Sequence, residues 1–190
     1  MFAFIANSLS PRGLNLARNY FPTGTNGLVS TPIAPGIPAI GSSGGTNESP
    51  EEQAIARLKE KGLEVIRLNE VVQLFHDPRF QQQMIVFVDA RNDEHYREGH
   101  IPGAYQLDPY HPENYLGSVL PACQIAQEVV VYCTGGDCED SEIAAMLLRD
   151  AGIAVRKLRV YVAGITDWKE NHLPLETSER NSGKIEGASQ

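Results

Sequence analysis

Two cysteines share one short loop in the stretch VVVYCTGGDCEDSEIAAMLL, Val129 to Leu148. Cys133 ends an apolar run, Gly135 and Gly136 follow, and Cys138 stands among Asp137, Glu139 and Asp140. A thiol placed between a strand end, a glycine turn and a helix start faces a set of backbone N–H groups. The glycines tolerate positive φ and let the chain curl around the sulfur, and the helix N-terminus adds partial positive charge. Both effects favour the thiolate, the nucleophilic form, over a free thiol of pKa about 8.5. The same amides suit a bound sulfur atom or a small anion. Cys133 is therefore the expected nucleophile. Thr134, Gly135, Gly136, Asp137, Glu139, Asp140 and Ser141 are the expected binding residues around it. The bland alternative, a small residue closing a strand, fits the glycine loop and helix less well.

Cys138 has two readings. A disulfide with Cys133 requires Cβ atoms about 4 Å apart. Given that approach, Cys138 can attack a persulfide or sulfenate on Cys133 and resolve it. Otherwise it fills the loop. A zinc or copper site needs more ligands, and no His or Cys follows at motif spacing, so no metal is expected. Cys123, in LPACQ, is isolated and reads as inert.

The elements that would hold this loop are legible. MIVFVDA and EVVVYC are continuous apolar runs of strand length, the pattern of buried parallel strands. Ser49-Pro50-Glu51-Glu52 has the form of a capping box with proline in the first helical position, predicting a helix to about Lys61 that stops at Gly62. LEVIRL reads as a strand, and Asn69 as the cap of a helix through Phe75. NDEHYREG reads as a short helix, AYQLD as a strand, and Pro112 to Leu120 as a helix. Ser141 to Ala151 reads as a helix with Ile143, Ala144, Leu147 and Leu148 on one face. LRVYV and ITDWKEN close the pattern as a strand and a short helix. The alternation predicts an α/β fold, a central parallel sheet of about five strands with helices on both faces. Sites in such sheets lie at the carboxyl ends of the strands, where Cys133 falls.

The chain of 190 residues suits one domain with additional tail, and its net charge of -8 argues against nucleic-acid binding. No stretch is long and apolar enough to span a bilayer. The start, MFAFIANSLSPR, lacks the basic n-region and full apolar core of a signal peptide. It reads as an end that docks or frays, with weak membrane association left open. Three cysteines do not make a disulfide scaffold, and reduced thiols fit a cytoplasmic location. Residues 1–48 are expected to form an extended or disordered arm, rich in Gly, Pro, Ser, Thr and Asn, that can dock to a protein partner. Residues 49–176 form the expected domain, and 177–190 a flexible tail.

FVDARNDEHYREGHIPGAYQL resembles the first signature of the rhodanese-like sulfurtransferase family. The matching residues are Asp89 and Arg91, then Tyr96 and the His100-Ile101-Pro102-Gly103-Ala104 element. VVVYC with its glycine loop, and VAGITDWKENHLPLE, are similar to the family's later elements in the same order. The resemblance covers about Leu63 to Glu176 and implies the rhodanese-like fold. It implies that Cys133 takes up a sulfane sulfur as a persulfide, with no metal or organic cofactor. It assigns Asp89, Arg91 and His100 to structural support, and Trp168 reads as core. The implied partners are a small or protein-bound sulfur donor and a thiol acceptor.

The loop departs from the family pattern Cys-x-x-Gly-x-Arg-Ser. Cys138 stands where the arginine would be, and the serine arrives two residues later as Ser141. A loop arginine would stabilise a thiolate and attract thiosulfate. The carboxylates of Asp137, Glu139 and Asp140 repel anions, or offset the helix dipole. Each is worth about 1 kcal/mol at an exposed loop, under one pKa unit. Together they are expected to leave Cys133 less acidic than in relatives with the arginine. Phosphoryl transfer is disfavoured, since no arginine follows Cys133 until Arg149. The leading expectation is sulfur transfer through Cys133 from a neutral or protein-bound persulfide. The alternatives are a thiol–disulfide device using Cys133 and Cys138, and a non-catalytic binding or sensing module.

Overall fold

The computed structural model describes residues 49–187, so the expected arm at 1–48 lies outside the described residues. Helix α1, Pro50–Glu60, opens on the capping box: the Ser49 hydroxyl accepts from the Glu52 amide at 3.3 Å, and Glu52 accepts from the Ser49 amide at 2.7 Å. Gly62, at φ +73°, ends it in the left-handed conformation that costs glycine little. Strand β1, Glu64–Ile66, leads into α2, Leu68–His76. Asn69 lies inside α2 and does not cap it. Arg67 holds that position, and its amide donates to Glu70 at 3.2 Å. The chain continues through α3, Pro78–Gln81; β2, Ile85–Asp89; α4, Asp93–Glu98; and β3, Tyr105–Gln106. The helix expected from Pro112 to Leu120 divides into a 3₁₀ turn at Pro112–Asn114 and α5, Leu116–Ile125. Then come β4, Glu128–Tyr132; α6, Asp140–Asp150; β5, Leu158–Tyr161; and α7, Gly164–Glu170.

The first five strands form one sheet in the order β1-β5-β4-β2-β3, with every neighbouring pair parallel. β4 is the middle strand, and Val130 lies between Phe87 and Arg159 in register. Its side chains alternate between two apolar layers, as the strand period requires. Val129, Val131 and Cys133 join Ala144 and Leu148 on one face, while Val130 and Tyr132 join Phe87 and Trp168 on the other. Full burial of each such large side chain stabilises by about 1.5–3 kcal/mol, which explains why the run is continuously apolar.

The buried face of α6 differs from the expected one. Ser141, Ala144, Ala145 and Leu148 face inward, and Ile143 is 37% exposed. Two alanines at the contact let the helix lie close to the sheet, and Ser141 is carried inward with them. Within the expected tail at 177–190, the described part carries a short strand. Strand β6, Leu175–Glu176, pairs antiparallel with β7, Ile185–Glu186. Glu176 accepts from the Gly183 amide at 3.4 Å and the Ser182 hydroxyl at 3.3 Å, and Arg180 lies 3.8 Å over the Tyr105 ring. Among the described residues no helix is long and apolar enough to cross a membrane.

Candidate active site

Strand β4 delivers Cys133 to the carboxyl edge of the sheet, and the first turn of α6 brings Ser141 to meet it. Cys133 is 1% exposed, and its Sγ lies 3.4 Å from Ser141 Oγ and 3.4 Å from the Cys138 carbonyl oxygen. The Cys138 thiol and the Gly135 and Ser141 backbone amides also favour the charged form of this sulfur. These donors lower the Cys133 pKa to about 7, with the Cys138 thiol the largest influence and burial opposing it. Cys138 moves the other way: its proton is held by the Cys133 sulfur, and burial adds to the rise. All three cysteines are free thiols.

A second loop fixes the first. The Ile165 amide donates to the Cys133 carbonyl at 2.9 Å, and the Thr166 amide to the Thr134 carbonyl at 3.2 Å. The two backbones touch where both residues are glycine. A Cβ on Gly135, φ +103°, would lie 2.0 Å from the Ala163 oxygen, and one on Gly164, φ +63°, would lie 2.5 Å from the Cys133 oxygen. Only glycine fits that crossing in those conformations. Gly136, φ +67°, has open space around it and supplies only the turn.

The carboxylates separate into different roles. Glu139 pairs with Arg57 of α1 at 3.4 Å, and Asp140 accepts from the Tyr110 hydroxyl at 3.0 Å. Asp137 is exposed and has no partner among the described residues. Glu142, only 7% exposed, pairs with Arg57 at 3.3 Å and with Lys61. Glu139 in the loop is thus matched by Arg57 of α1, and Glu142 in the first turn of α6 by Arg57 and by Lys61 at the end of α1. The expected offset by three loop acids is corrected: thiol, hydroxyl and amide donors, set against burial, dominate the Cys133 pKa.

Asp89 and Arg91 flank this centre from the end of β2. Arg91 grips Asp89 through Nε at 2.9 Å and also donates to the Gly99 carbonyl at 2.8 Å. The Ala90 amide donates to the Tyr132 carbonyl at 2.8 Å, tying this buried ion pair to the residue before Cys133. His100 is not in the cysteine loop. Its ring stacks on Tyr96 at 3.8 Å, with Nδ1 2.9 Å from the Tyr96 carbonyl and Nε2 3.3 Å from Glu176. Burial pushes its pKa down. Trp168 is fully buried and donates to the Pro174 carbonyl at 2.8 Å.

An open groove of about 620 Å³ reaches the loop at Gly135 and Gly136 and is walled by Arg67, Ala163, Thr166 and Asp167. A second cavity of about 330 Å³, lined by Phe75, Phe80 and Arg180, contains no cysteine. Among the described residues no group of three or more His, Cys, Asp or Glu side chains is placed to hold a metal ion.

The sequence pattern of the rhodanese-like domain matches residues 68–171. The chain belongs to the rhodanese-like domain family. An HTH-type transcriptional regulator of Mycobacterium tuberculosis is 33% identical over 92 residues, covering 48% of this chain and 38% of the regulator. The chain thus spans under two fifths of that relative's length. Among solved structures, this rhodanese-like domain is similar to a thiosulfate sulfurtransferase from Pseudomonas aeruginosa, at 23% identity and TM-score 0.48, covering 69% of this chain and 23% of that one. It is also similar to an As/Sb reductase from Leishmania major, at 14% identity and TM-score 0.49, covering 65% and 91% of the two chains.

Arg57, Lys61, Glu142 and Tyr110 were not marked by the sequence reading. Arg57 and Lys61 do carry a signal, because their spacing puts both cations on one face of α1. Their target lies more than 80 residues away, in α6.

Proposed function

We propose that this rhodanese-like domain is a sulfurtransferase in which Cys133 carries a sulfane sulfur between a persulfide donor and a thiol acceptor. The supporting observation is the setting of Cys133, a buried sulfur ringed by donors that bring its pKa to about 7. About half of the protein then holds the thiolate at neutral pH. The thiolate attacks the outer sulfur of a donor R–S–SH, the Cys133–sulfur bond forms, and R–S⁻ leaves. The amides of Gly135 and Ser141 and the Ser141 hydroxyl then stabilise the charge on the bound persulfide. An acceptor thiolate then attacks the outer sulfur, and Cys133 leaves as the thiolate. Asp89 and Arg91 hold the strand end and take no part in bond making.

Brief exposure to cysteine persulfide followed by intact-mass measurement tests the reading. Cys138→Ser protein, which retains a hydroxyl donor, is expected to gain one sulfur that is lost on adding an acceptor thiol. Cys133→Ser protein should gain none. Equal uptake by the Cys133→Ser variant would remove Cys133 as the carrier.

A further inference from the structure

The position that the family pattern gives to an arginine is occupied here by a second thiol, packed on the same apolar cluster as the first. Two residues after Cys133, a turn that ends at Cys138 is closed by the bond from the Cys138 amide to the Gly135 carbonyl, at 3.4 Å. The positive φ of Gly135 and Gly136 folds that turn back, so the Cys138 backbone oxygen comes within 3.4 Å of Cys133 Sγ. The Cys138 side chain is half-buried and packs on the apolar cluster that contains Cys133. The two thiols act on each other, since Cys138 lowers the Cys133 pKa and Cys133 raises that of Cys138, which a residue that merely filled the loop would not need.

We infer that Cys138 resolves the Cys133 persulfide, closing a Cys133–Cys138 disulfide and expelling the sulfane sulfur as sulfide. This rests on the reading of Cys133 as the sulfur carrier. The step balances as Cys133–S–S⁻ plus Cys138–SH giving Cys133–S–S–Cys138 plus HS⁻. The Cys138 sulfur bonds to Cys133 Sγ, the bond from Sγ to the outer sulfur breaks, and the Cys138 proton leaves with the sulfide. The sulfane sulfur is reduced by two electrons, and the two thiols are oxidised to the disulfide. Reopening that disulfide requires an external dithiol, either a small reductant such as dithiothreitol or a dithiol protein.

The tightly held Cys138 proton makes resolution compete with transfer. While Cys133 is a bare thiolate, the proton stays on Cys138 and keeps it un-nucleophilic. Once the outer sulfur carries the charge, that proton has a leaving group to follow. The domain would thus pass sulfur on when an acceptor is present and report its absence by closing a disulfide.

The test loads the wild-type chain with cysteine persulfide, desalts it rapidly without reductant, and follows intact mass and released sulfide together. The expected result is a transient gain of one sulfur, then a mass two hydrogens below the starting protein, with one equivalent of sulfide. Dithiothreitol should restore the starting mass. Cys138→Ser should hold its added sulfur and release at least tenfold less sulfide over the same interval. A wild-type persulfide that persists without sulfide release would overturn the resolving role and leave sulfur carriage intact. No sulfur gained by Cys138→Ser, and no sulfide from the wild type, would overturn the carrier reading itself. Cys138→Ala, which lacks any donor, should also retain its sulfur. Sulfide release from both variants at the wild-type rate would show that Cys138 is not the attacking group.

Discussion

Cys133 and Cys123 belong to the same apolar cluster and are both buried, yet their thiols behave oppositely. In α5, burial pushes the Cys123 pKa up to about 12, with the Lys157 charge opposing it only in part. At the end of β4, Cys133 is equally enclosed, and its pKa falls to about 7. Burial disfavours a charge in both places. The difference is the set of donors on the sulfur: one thiol, one hydroxyl and two amides. The ionisation of Cys133 is therefore set by the turn that follows β4 and not by the depth of the thiol.

The largest expected consequence is selective alkylation. At pH 7 about half of Cys133 is thiolate, whereas a thiol with pKa about 12 is ionised to about one part in 10⁵. Iodoacetamide followed by peptide mapping should label Cys133 more than 100-fold faster than Cys123. Labelling of Cys123 or Cys138 ahead of Cys133 would erase the contrast. The Cys133 rate should climb as pH rises through about 7 and level off above it, because deprotonation creates the reacting form.

Next in size is the effect of removing the crossing that shapes the turn. Gly135→Ala puts a Cβ against the Ala163 backbone oxygen in a conformation that alanine resists. Strain of this kind costs about 1–3 kcal/mol, so thermal unfolding should move down, and the alkylation rate of Cys133 should fall at least tenfold. Gly136→Ala has the same sign of φ but free space, and should lose less on both measures. Equal losses would mean that the close approach to Ala163 is not what holds the loop.

This contrast between the glycines shows what the sequence could and could not reveal. Continuous apolar runs mark β2 and β4, and the capping box marks α1, because each is written in neighbouring residues. The reach of Gly135 to Ala163 is not local. Neither is the borrowing of Arg57 and Lys61 by Glu142, since the three meet only when α1 packs beside α6. The inward face of α6 was misread for a related reason. Ala144 and Leu148 belong to the expected face, but large apolar Ile143 and Leu147 outweigh Ala145 and Ser141 in a reading by hydrophobicity, whereas a helix close to a sheet selects small residues. The fold back of residues 177–187 depends on Glu176 collecting amides and a hydroxyl from a Ser/Gly-rich segment whose composition suggests no order.

A smaller change tests one donor. Ser141→Ala removes the hydroxyl 3.4 Å from Cys133 Sγ while keeping the helix amide. A hydrogen bond to a charged group is worth about 1.5–3 kcal/mol, and one pKa unit corresponds to about 1.4 kcal/mol. The midpoint of the alkylation profile should move up by about one pH unit, toward the unperturbed thiol. An unmoved midpoint would place the stabilisation in Cys138 and the amides alone.

The smallest expected effect concerns the acids, and it separates Asp137 from Glu139. Asp137 has no partner among the described residues, so its charge acts on any anion approaching the loop. Glu139 is matched by Arg57, an exposed pair worth about 0–1 kcal/mol whose charges largely cancel at a distance. With thiosulfate as donor, Asp137→Asn should raise the transfer rate a few-fold at low ionic strength, whereas Glu139→Gln should change it less. The Asp137 gain should shrink at high salt, where screening over about 3 Å at 1 M already hides the charge. A neutral donor should show neither gain. Changing both residues together with Asp140 to amides should raise the rate further, since the neutral Tyr110 hydroxyl that bonds Asp140 leaves its charge in place. If the variants gain equally, or gain with the neutral donor as well, the acids act through the shape of the turn. The contrast between the two buried thiols would then rest on hydrogen bonds alone, with no electrostatic gate in front of Cys133.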